Sequence, residues 1–280
     1  MKNDKKIRIG CASAFWGDTS TAARQLVEKG KLDYLVFDFL AEVTMSILAR
    51  AKSKDPKMGY ATDFIRQLEP ILHLIKRDGI KVLSNAGGIN PNACRDILKY
   101  VAKKSGIELN IATVIGDDLI SELPRIKGLG ITGIDGQDQI PESCLSINAY
   151  LGAPGMVQAL KEGADIVITG RCVDSALVLA PLIYEFDWTY TDYDLLASGS
   201  LAGHIIECGA QCTGGNFTDW KEVEGFHDMG FPIVEVERNG DFVVSKPDNT
   251  GGMITFGTVA EQFLYEIAVS YTHLTLPTKA

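Results

Sequence analysis

Five short apolar runs, each followed by a stretch of helical period, most constrain what this chain can fold into. The runs occupy residues 6–11, 33–38, 80–84, 108–114 and 165–170. Near-continuous apolar runs of this length are typical of parallel strands that are buried on both faces. Because each strand is followed by a helical segment, the sequence predicts right-handed crossovers and an α/β fold built on a parallel sheet.

The arrangement that we expect is a three-layer, doubly wound, mostly parallel sheet of the Rossmann-like type. The alternative is a (β/α) barrel, which needs about eight strands, more than these runs supply. Further along the chain, residues 233–244 alternate between apolar and polar side chains around Asn239 and Gly240. That pattern predicts a C-terminal β-hairpin extension with a type I′ turn.

The sequence divides into three parts. We expect residues 1–220 to form the α/β domain and residues 221–268 to begin a β-containing extension that is incomplete. Residues 269–280, which include His273, show no capping chemistry and are similar to a translated sequencing-adapter tail. On this prediction the tail is non-native, and the chain is a fragment of a protein that continues beyond Ile267.

The charge balance argues against one broad class of function. Lys and Arg total 27 against 36 Asp and Glu, which gives a formal net charge of −9. A general nucleic-acid binder needs a basic face to neutralise phosphates, so we expect no nucleic-acid partner. No apolar run reaches the ~18 residues that a membrane-spanning helix needs, so we expect no membrane partner either.

The compartment is predicted from the N-terminus and the cysteines. The first residues contain no long apolar stretch of the signal-peptide type. The six cysteines show no C-x-x-C spacing, and in a chain of this size they are typical of thiols in a reducing compartment. We therefore expect a cytoplasmic protein.

Polar residues follow each predicted strand, at the edge where open parallel sheets bind ligands. They are Ser13, Asp38, Glu42, Asn85, Asp117, Asp118, Arg171 and Asp174. The turn at residues 85–88 also contains Gly87 and Gly88, and its bare backbone could offer N–H donors to an anion at a helix N-terminus. The alternative is a plain turn in which Asn90 caps the helix.

Two of these positions have a structural interpretation beside the functional one. Asp38 and Glu42 could hold a metal or act as a base and its orienting group, or Asp38 could simply cap the next helix. Arg171 could clamp an anionic substrate, or it could form an internal ion pair with Asp174.

The densest set of reactive side chains lies in residues 203–215. On a helix, His204 and Cys208 share a face and Glu207 lies beside them, so Cys208 could become a thiolate nucleophile. The alternative is a buried cysteine beside a satisfied histidine. Zinc bound by His204, Cys208 and Cys212 is disfavoured, since they would span about 12 Å on a continuous helix.

A short glycine motif occurs twice. Thr213, Gly214 and Gly215 are repeated as T-G-G at residues 250–252. Paired turns of this kind could clasp a phosphate-bearing ligand with their backbone amides. The sequence has neither a dinucleotide fingerprint nor a Walker-type phosphate loop, so no cofactor and no resident metal is assigned.

Several long motifs, in order, resemble the acyclic terpene utilisation protein A family. They are residues 10–18 (GCASAFWGD), 33–45 (DYLVFDFLAEVTM), 84–91 (SNAGGINP), 163–176 (GADIVITGRCVDSA), 203–215 (GHIIECGAQCTGG) and 258–267 (TVAEQFLYEI). The resemblance implies a role in the catabolism of terpenoid alcohols and branched acids through coenzyme A thioesters. It supplies no accepted catalytic residue.

We therefore expect a catabolic enzyme that acts on a branched or terpenoid-derived acyl substrate, as its coenzyme A ester, by lyase, hydratase or hydrolase chemistry. Proton transfer or nucleophilic attack is expected from Asp38, Glu42, His204, Glu207 or Cys208. A second hypothesis is a non-catalytic subunit of an acyl-CoA-processing complex, working as a homo-oligomer or with a partner subunit. A third is a metal enzyme that uses Asp38 and Glu42 with Asp117 or Asp118.

Overall fold

A mixed β-sheet forms the middle layer of the protein. The structure is a computed structural model that describes residues 5–132 and 140–271, with side chains as far as residue 267. In these residues the sheet has seven strands in the order β4-β5-β3-β2-β1-β6-β7. The strands are β1 (Lys6–Cys11), β2 (Tyr34–Phe37), β3 (Lys81–Ser84), β4 (Ile111–Val114), β5 (Ile166–Thr169), β6 (Ile233–Glu237) and β7 (Phe242–Ser245).

The five apolar runs all form strands, and β1 to β5 pair in parallel. The expected α/β fold is therefore confirmed. Strand β6 pairs antiparallel with β1, from Lys6 opposite Glu237 to Gly10 opposite Ile233, and β7 pairs antiparallel with β6. The C-terminal hairpin thus extends the same sheet beyond β1.

Helices cover both faces of this sheet. They are α1 (Ala22–Lys29), α2 (Glu42–Lys54), α3 (Thr62–Leu68), α4 (Leu72–Asp78), α5 (Pro91–Lys104), α6 (Leu123–Gly128), α7 (Pro154–Lys161), α8 (Ala176–Phe186), α9 (Tyr193–Ile206) and α10 (Phe256–Tyr271). Side chains of α1 to α5 pack in one apolar core and those of α7 to α9 in a second. The result is a three-layer arrangement with the sheet between two cores.

Successive residues of β2 enter opposite cores. Leu35 and Phe37 lie in the core of α1 to α5, whereas Tyr34 and Val36 lie in the core of α7 to α9. All four are buried. This double burial explains why the strand reads as a continuous apolar run rather than as an alternating one.

Two local predictions were wrong in detail. The hairpin has a three-residue loop in which Gly240 has φ of 89° and Asn239 has no positive φ, so the turn is not type I′. The sequence also predicts a helix over residues 190–208 with a break at Gly199 and Ser200. The helix starts at Tyr193 and has no such break. Gly199 is instead where α9 packs closely on the side chain of Leu179 in α8.

The described part of the chain contains no helix that is both long enough and apolar enough to cross a bilayer. Helix α10 continues through Tyr271, and the rest of the predicted tail, residues 272–280, lies outside the described residues. The division into residues 1–220, 221–268 and 269–280 stays a prediction.

Candidate active site

The connections that leave β3 and β5 go to opposite faces of the sheet. Strand β3 leads to α5 in one core, and β5 leads to α8 in the other, although the two strands are neighbours. A doubly wound sheet opens a crevice at such a point, outside the carboxyl ends of the strands. Asn85 follows β3 directly, and Arg171 comes two residues after β5.

A cavity of about 200 Å³ lies at this edge of the sheet. Its wall is formed by residues that follow β1, β2, β5 and α9, and by α10. The lining residues are Ala14, Asp38, Leu40, Ala41, Glu42, Arg171, Asp174, Glu207, Cys208, Tyr265 and Glu266. Six of the residues predicted from the sequence therefore share one cavity: Asp38, Glu42, Arg171, Asp174, Glu207 and Cys208.

Asp38 is buried at the end of β2, and one of its oxygens is fixed. Its Oδ1 accepts hydrogen bonds from Asn85 Nδ2 at 2.6 Å and from the Leu40 amide at 3.1 Å. Its Oδ2 has no partner in the described part of the chain. Burial raises the pKa of Asp38, and the charge of Asp174 raises it further, so the carboxyl group can hold a proton near neutrality.

Ser13 and Asn85 hold the strand ends in position instead of lining the cavity. The Ser13 hydroxyl donates to the Asp38 carbonyl at 3.0 Å, and Asn85 Oδ1 accepts the Phe39 amide at 2.8 Å. Both side chains are fully buried. They act on the site through Asp38, not through direct access to a ligand.

The glycines predicted to bind an anion after β3 pack against the protein. A Cβ on Gly87 would lie 2.4 Å from the Thr169 carbonyl oxygen, and one on Gly88 would lie 2.8 Å from the Gly59 carbonyl oxygen. The residues of this turn are buried, and Asn90 is the N-cap residue of α5, as the alternative predicts. Its side chain donates to the Pro56 and Met58 carbonyls and makes no capping hydrogen bond. The anion-site hypothesis for Gly87 and Gly88 is corrected to a close-packing role.

Arg171 forms the internal ion pair that was one of its two predicted roles, and it also lines the cavity. Its Nη1 lies 2.6 Å from Asp174 Oδ1 and donates to the Cys172 carbonyl at 2.9 Å, so the internal ion pair exists. The guanidinium also lines the cavity. Burial works to lower the pKa of Arg171, but the charge of Asp174 outweighs it and raises the pKa. The cation is therefore permanent and faces the space where a ligand would bind.

Glu42 is the first residue of α2, at the rim of the cavity. Its Oε1 accepts a hydrogen bond from the Tyr150 hydroxyl at 2.7 Å, and this bond lowers the pKa of Glu42. The helix is capped by Ala41, without a side-chain hydrogen bond, so Asp38 is not the cap. Glu42 is thus an ionised carboxylate held by a tyrosine.

A histidine and two glutamates meet where α9 ends against α10. His204 Nδ1 lies 3.2 Å from Glu207 Oε1 and 3.4 Å from Glu266 Oε2. Burial raises the pKa of Glu207 strongly, and the hydrogen bond with Glu266 adds to this. Burial also works to raise the pKa of Glu266, but hydrogen bonds with His204 and Glu207 outweigh it and lower the pKa. The two glutamates therefore differ in proton affinity although they lie side by side.

Cys208 lies outside α9, which ends at Ile206. Its Sγ donates to Glu266 Oε1 at 3.4 Å, so the bonded partner of Cys208 is a glutamate and not His204. Burial raises the pKa of the Cys208 thiol, and the charge of Glu266 raises it further. These surroundings favour the thiol over the thiolate that a nucleophile requires. Because α9 ends here, the continuous helix assumed for the zinc alternative does not exist.

The two T-G-G segments lie against each other, and five of their six amides donate hydrogen bonds within the protein. The Met253 amide donates to the Thr213 carbonyl at 2.7 Å, which joins the two segments. The amides of Thr213, Gly214 and Gly215 donate to carbonyls of residues 210 and 211. Since these donors are used within the protein, the predicted phosphate clasp is corrected to a structural junction.

Asp117 and Asp118 do not join the carboxyl groups of the cavity. Asp117 Oδ2 accepts the Arg171 amide at 2.9 Å and Asn148 Nδ2 at 2.8 Å. Asp118 Oδ1 accepts the Ile120 amide. Asp117 therefore fixes the backbone beneath Arg171, and the metal alternative built on Asp38 with Asp117 or Asp118 has no support.

Sequence reasoning missed two residues at the site. Glu266 lies on α10, where Gln262, a fully buried residue, donates to it. The signal in the sequence was the polar pair Gln262 and Glu266 at i, i+4 spacing in an otherwise apolar helix. Tyr150 lies in an irregular segment with no periodic pattern, and no sequence signal places it over Arg171.

Two groups of side chains in the described residues could hold a metal ion. One consists of Asp38, Asp174 and Glu207, and the other of His204, Glu207 and Glu266. In each group, one potential ligand atom per residue lies within 4.8 Å of the others. Glu207 belongs to both.

The fold and the site define a three-layer α/β protein with a carboxyl-rich cavity at the carboxyl edge of its sheet. A scan against protein-family models matches residues 7–275 to the acyclic terpene utilisation family protein AtuA. The chain belongs to this family, which confirms the resemblance and connects it with acyclic terpene utilisation. Neither the search of curated proteins nor the search of solved structures found a match.

Proposed function

We propose that the protein is an acid–base enzyme that acts on the acyl end of a branched or terpenoid-derived substrate, presented as a coenzyme A ester. The observation that carries the proposal is the pair Glu207 and Glu266, whose pKa values are shifted in opposite directions beside the same cavity. Such a pair supplies a proton donor and a proton acceptor at one pH. Arg171 supplies a fixed positive charge for an anionic or enolate-like oxygen.

Hydratase or lyase chemistry fits these groups better than hydrolysis through a thiolate. Loss of water from a 3-hydroxyacyl group needs one proton removed from the carbon next to the carbonyl and one proton given to the departing hydroxyl, and addition of water reverses both transfers. Glu266 and Glu207 supply these two functions, and His204, which is partly exposed, connects them with solvent. Cys208 is held as a thiol, which argues against a thioester exchange on sulfur.

The size of the cavity limits what it can enclose. About 200 Å³ accommodates a carboxyl or thioester group with a few carbons, and is below the range typical of sites for whole drug-sized ligands. On this proposal the coenzyme A part lies outside the cavity. A cytoplasmic location is also part of the proposal, supported by six cysteines that are all free thiols.

Deuterium exchange tests the reaction class directly. The full chain is incubated in D₂O with branched 2-enoyl-CoA and 3-hydroxyacyl-CoA esters, and label at the carbon next to the thioester is measured by mass spectrometry. We expect label or hydration product with the parent protein, and a loss of about 100-fold with Glu207→Gln. Asp219→Asn, at an exposed site, is the matched control. A folded parent protein that labels none of these esters would contradict the proposal.

A non-catalytic subunit is the second candidate, and one observation favours it. Helix α10 exposes Phe256, Phe263 and Leu264, with Phe256 91% exposed. Contiguous apolar side chains on a surface helix are typical of contacts with another subunit or a second copy. Light scattering measures the molar mass of the purified parent chain and of Phe263→Ser. A mass above that of one chain in the parent, lost in Phe263→Ser, would show that this face joins two copies.

A further inference from the structure

We propose that Asp38, Asp174 and Glu207 form a binding site for a hard divalent cation such as Mg²⁺, Mn²⁺ or Ca²⁺. The three carboxyl groups come from segments that follow β2, precede α8 and follow α9. Their potential ligand oxygens lie within 4.8 Å of one another. Since oxygen ligands lie about 2.3–2.6 Å from Ca²⁺, oxygens this close together can bind one ion.

Two of the three carboxyl groups are buried with an oxygen left over. Asp38 and Glu207 are only 5% and 6% exposed. Oδ2 of Asp38 and Oε2 of Glu207 have no hydrogen-bond partner in the described part of the chain. Buried polar atoms are nearly always paired in folded proteins, so an unpaired oxygen on each of two residues that line one cavity indicates a ligand for both.

The other oxygen of each carboxyl group is already held by a polar side chain. The pairs are Asn85 with Asp38 at 2.6 Å, Arg171 with Asp174 at 2.6 Å, and His204 with Glu207 at 3.2 Å. Contacts of this kind fix the direction of metal-binding carboxylates in known sites. The three groups are therefore orientated before an ion arrives.

The charges of the cluster match a divalent ion. When ionised, the three carboxylates carry three negative charges, and Arg171 supplies one positive charge at the Asp174 side. The excess of two equals the charge of one divalent cation. Because all three ligands are carboxylates, the site suits an ion that prefers oxygen over nitrogen and sulfur.

The overlapping group of His204, Glu207 and Glu266 is the weaker candidate. Glu266 already accepts hydrogen bonds from Cys208 at 3.4 Å and from Gln262 at 2.9 Å. An ion at that position would have to displace existing contacts, whereas an ion at Asp38 would take an unpaired oxygen. The inference goes beyond the proposed function, because the site can bind an ion without a substrate. A bound ion would displace the protons that Asp38 and Glu207 otherwise hold.

Manganese binding to the full chain tests the site without any activity assay. The protein is treated with EDTA, dialysed and titrated with MnCl₂, while electron paramagnetic resonance reports free Mn²⁺ and calorimetry reports heat. MgCl₂ and CaCl₂ are then added as competitors. We expect one ion per chain with a dissociation constant below about 1 mM. Asp38→Asn and Glu207→Gln should each weaken it by about tenfold or more.

A control variant and a second ligand variant separate loss of the ion site from loss of folding. Asp219→Asn, at an exposed site, should bind Mn²⁺ as the parent does, and Asp174→Asn serves as the ligand variant if a buried substitution prevents folding. No binding up to about 10 mM would overturn the inference, as would binding that neither Asp38→Asn nor Asp174→Asn changes. Ion binding without deuterium exchange would support the ion site and contradict the proposed function. Deuterium exchange in EDTA without ion binding would support the proposed function and contradict the ion site.

Discussion

The guanidinium of Arg171 lies over the ring of Tyr150, 4.1 Å from its centre. The Tyr150 hydroxyl reaches further and donates to Glu42, so one tyrosine joins the cation after β5 to the carboxylate that starts α2. A planar guanidinium stacks on an aromatic ring better than an ammonium does. The stack therefore holds the positive charge at a fixed place on the cavity wall.

Arg171→Lys tests this placement. The substitution keeps the charge but loses the planar fork that contacts Asp174 and stacks on Tyr150. We expect acyl-CoA affinity to fall by about tenfold, measured by isothermal titration calorimetry. Arg24→Lys, on the exposed surface of α1, is the control and should bind as the parent does. Unchanged affinity in Arg171→Lys would remove the anion-binding role.

The buried amide behind Asp38 gives a stability prediction. Asn85→Ala removes the donor to Asp38 and the acceptor of the Phe39 amide together. Leaving buried polar groups unpaired costs about 1–3 kcal/mol, so urea unfolding should show a loss of that size. Asn216→Ala, at an exposed position, should change the free energy of unfolding by less than about 0.5 kcal/mol. Equal effects in the two variants would show that Asn85 is not holding Asp38.

Glu207 gives stability a dependence on pH. Its pKa is raised in the folded protein, so from the unfolded value near 4 upward the folded state binds more protons than the unfolded chain. The stabilisation is therefore complete below about pH 4 and is lost as the pH rises toward the folded pKa. Carboxyl groups with lowered pKa values, such as Glu42, change stability with pH in the opposite direction. Their contribution is the same in the parent protein and in Glu207→Gln, so it cancels when the two are compared.

The comparison that isolates Glu207 is thermal unfolding in EDTA between about pH 5 and pH 8. The melting temperature of Glu207→Gln should fall less with rising pH than that of the parent protein. Asp219→Asn should follow the parent curve. Parallel curves for Glu207→Gln and the parent would mean that this carboxyl group has the same proton affinity in both states.

Gly170→Ala tests the support beneath Arg171. A Cβ at Gly170 would lie 2.3 Å from both carboxylate oxygens of Asp117, the group that accepts the Arg171 amide. We expect a loss of about 1–3 kcal/mol in urea unfolding, together with weaker ligand binding. At Gly128, a new Cβ would lie more than 4 Å from every described atom outside its own helix turn and chain neighbours, so Gly128→Ala should be neutral or slightly stabilising. Wild-type stability in Gly170→Ala would mean that Asp117 moves freely.

Local pattern was enough to predict the strands and part of the site. The five parallel strands are buried in the middle layer, and such strands appear in the sequence as short, nearly continuous apolar runs. Asp38 and Arg171 were found because a parallel sheet brings its carboxyl ends together. Phe64, Leu68, Ile71 and Ile75 recur at helical spacing, which predicts that they share one buried face, and all four are buried.

The failures have physical reasons. The apolar spacing of residues 61–77 predicts one helix, but the helix is interrupted at Glu69–Ile71. The cause is Pro70, which has no N–H and whose ring disturbs the preceding turn. Glu266 was missed because its partner, Glu207, comes from another helix, and no local period records a contact between distant segments. The prediction of an anion site at Gly87 was wrong because a glycine in a turn can allow close packing of the backbone as well as close approach of a ligand.

The position of Glu266 on α10 has a consequence for biosynthesis. All five parallel strands and Arg171 are translated before residue 175, but the acidic partner of Glu207 emerges from the ribosome only near residue 266. A nascent chain can thus form its five parallel strands while the cavity still lacks the wall that α10 supplies. The cavity is complete only after α10 has been synthesised and has packed against α9.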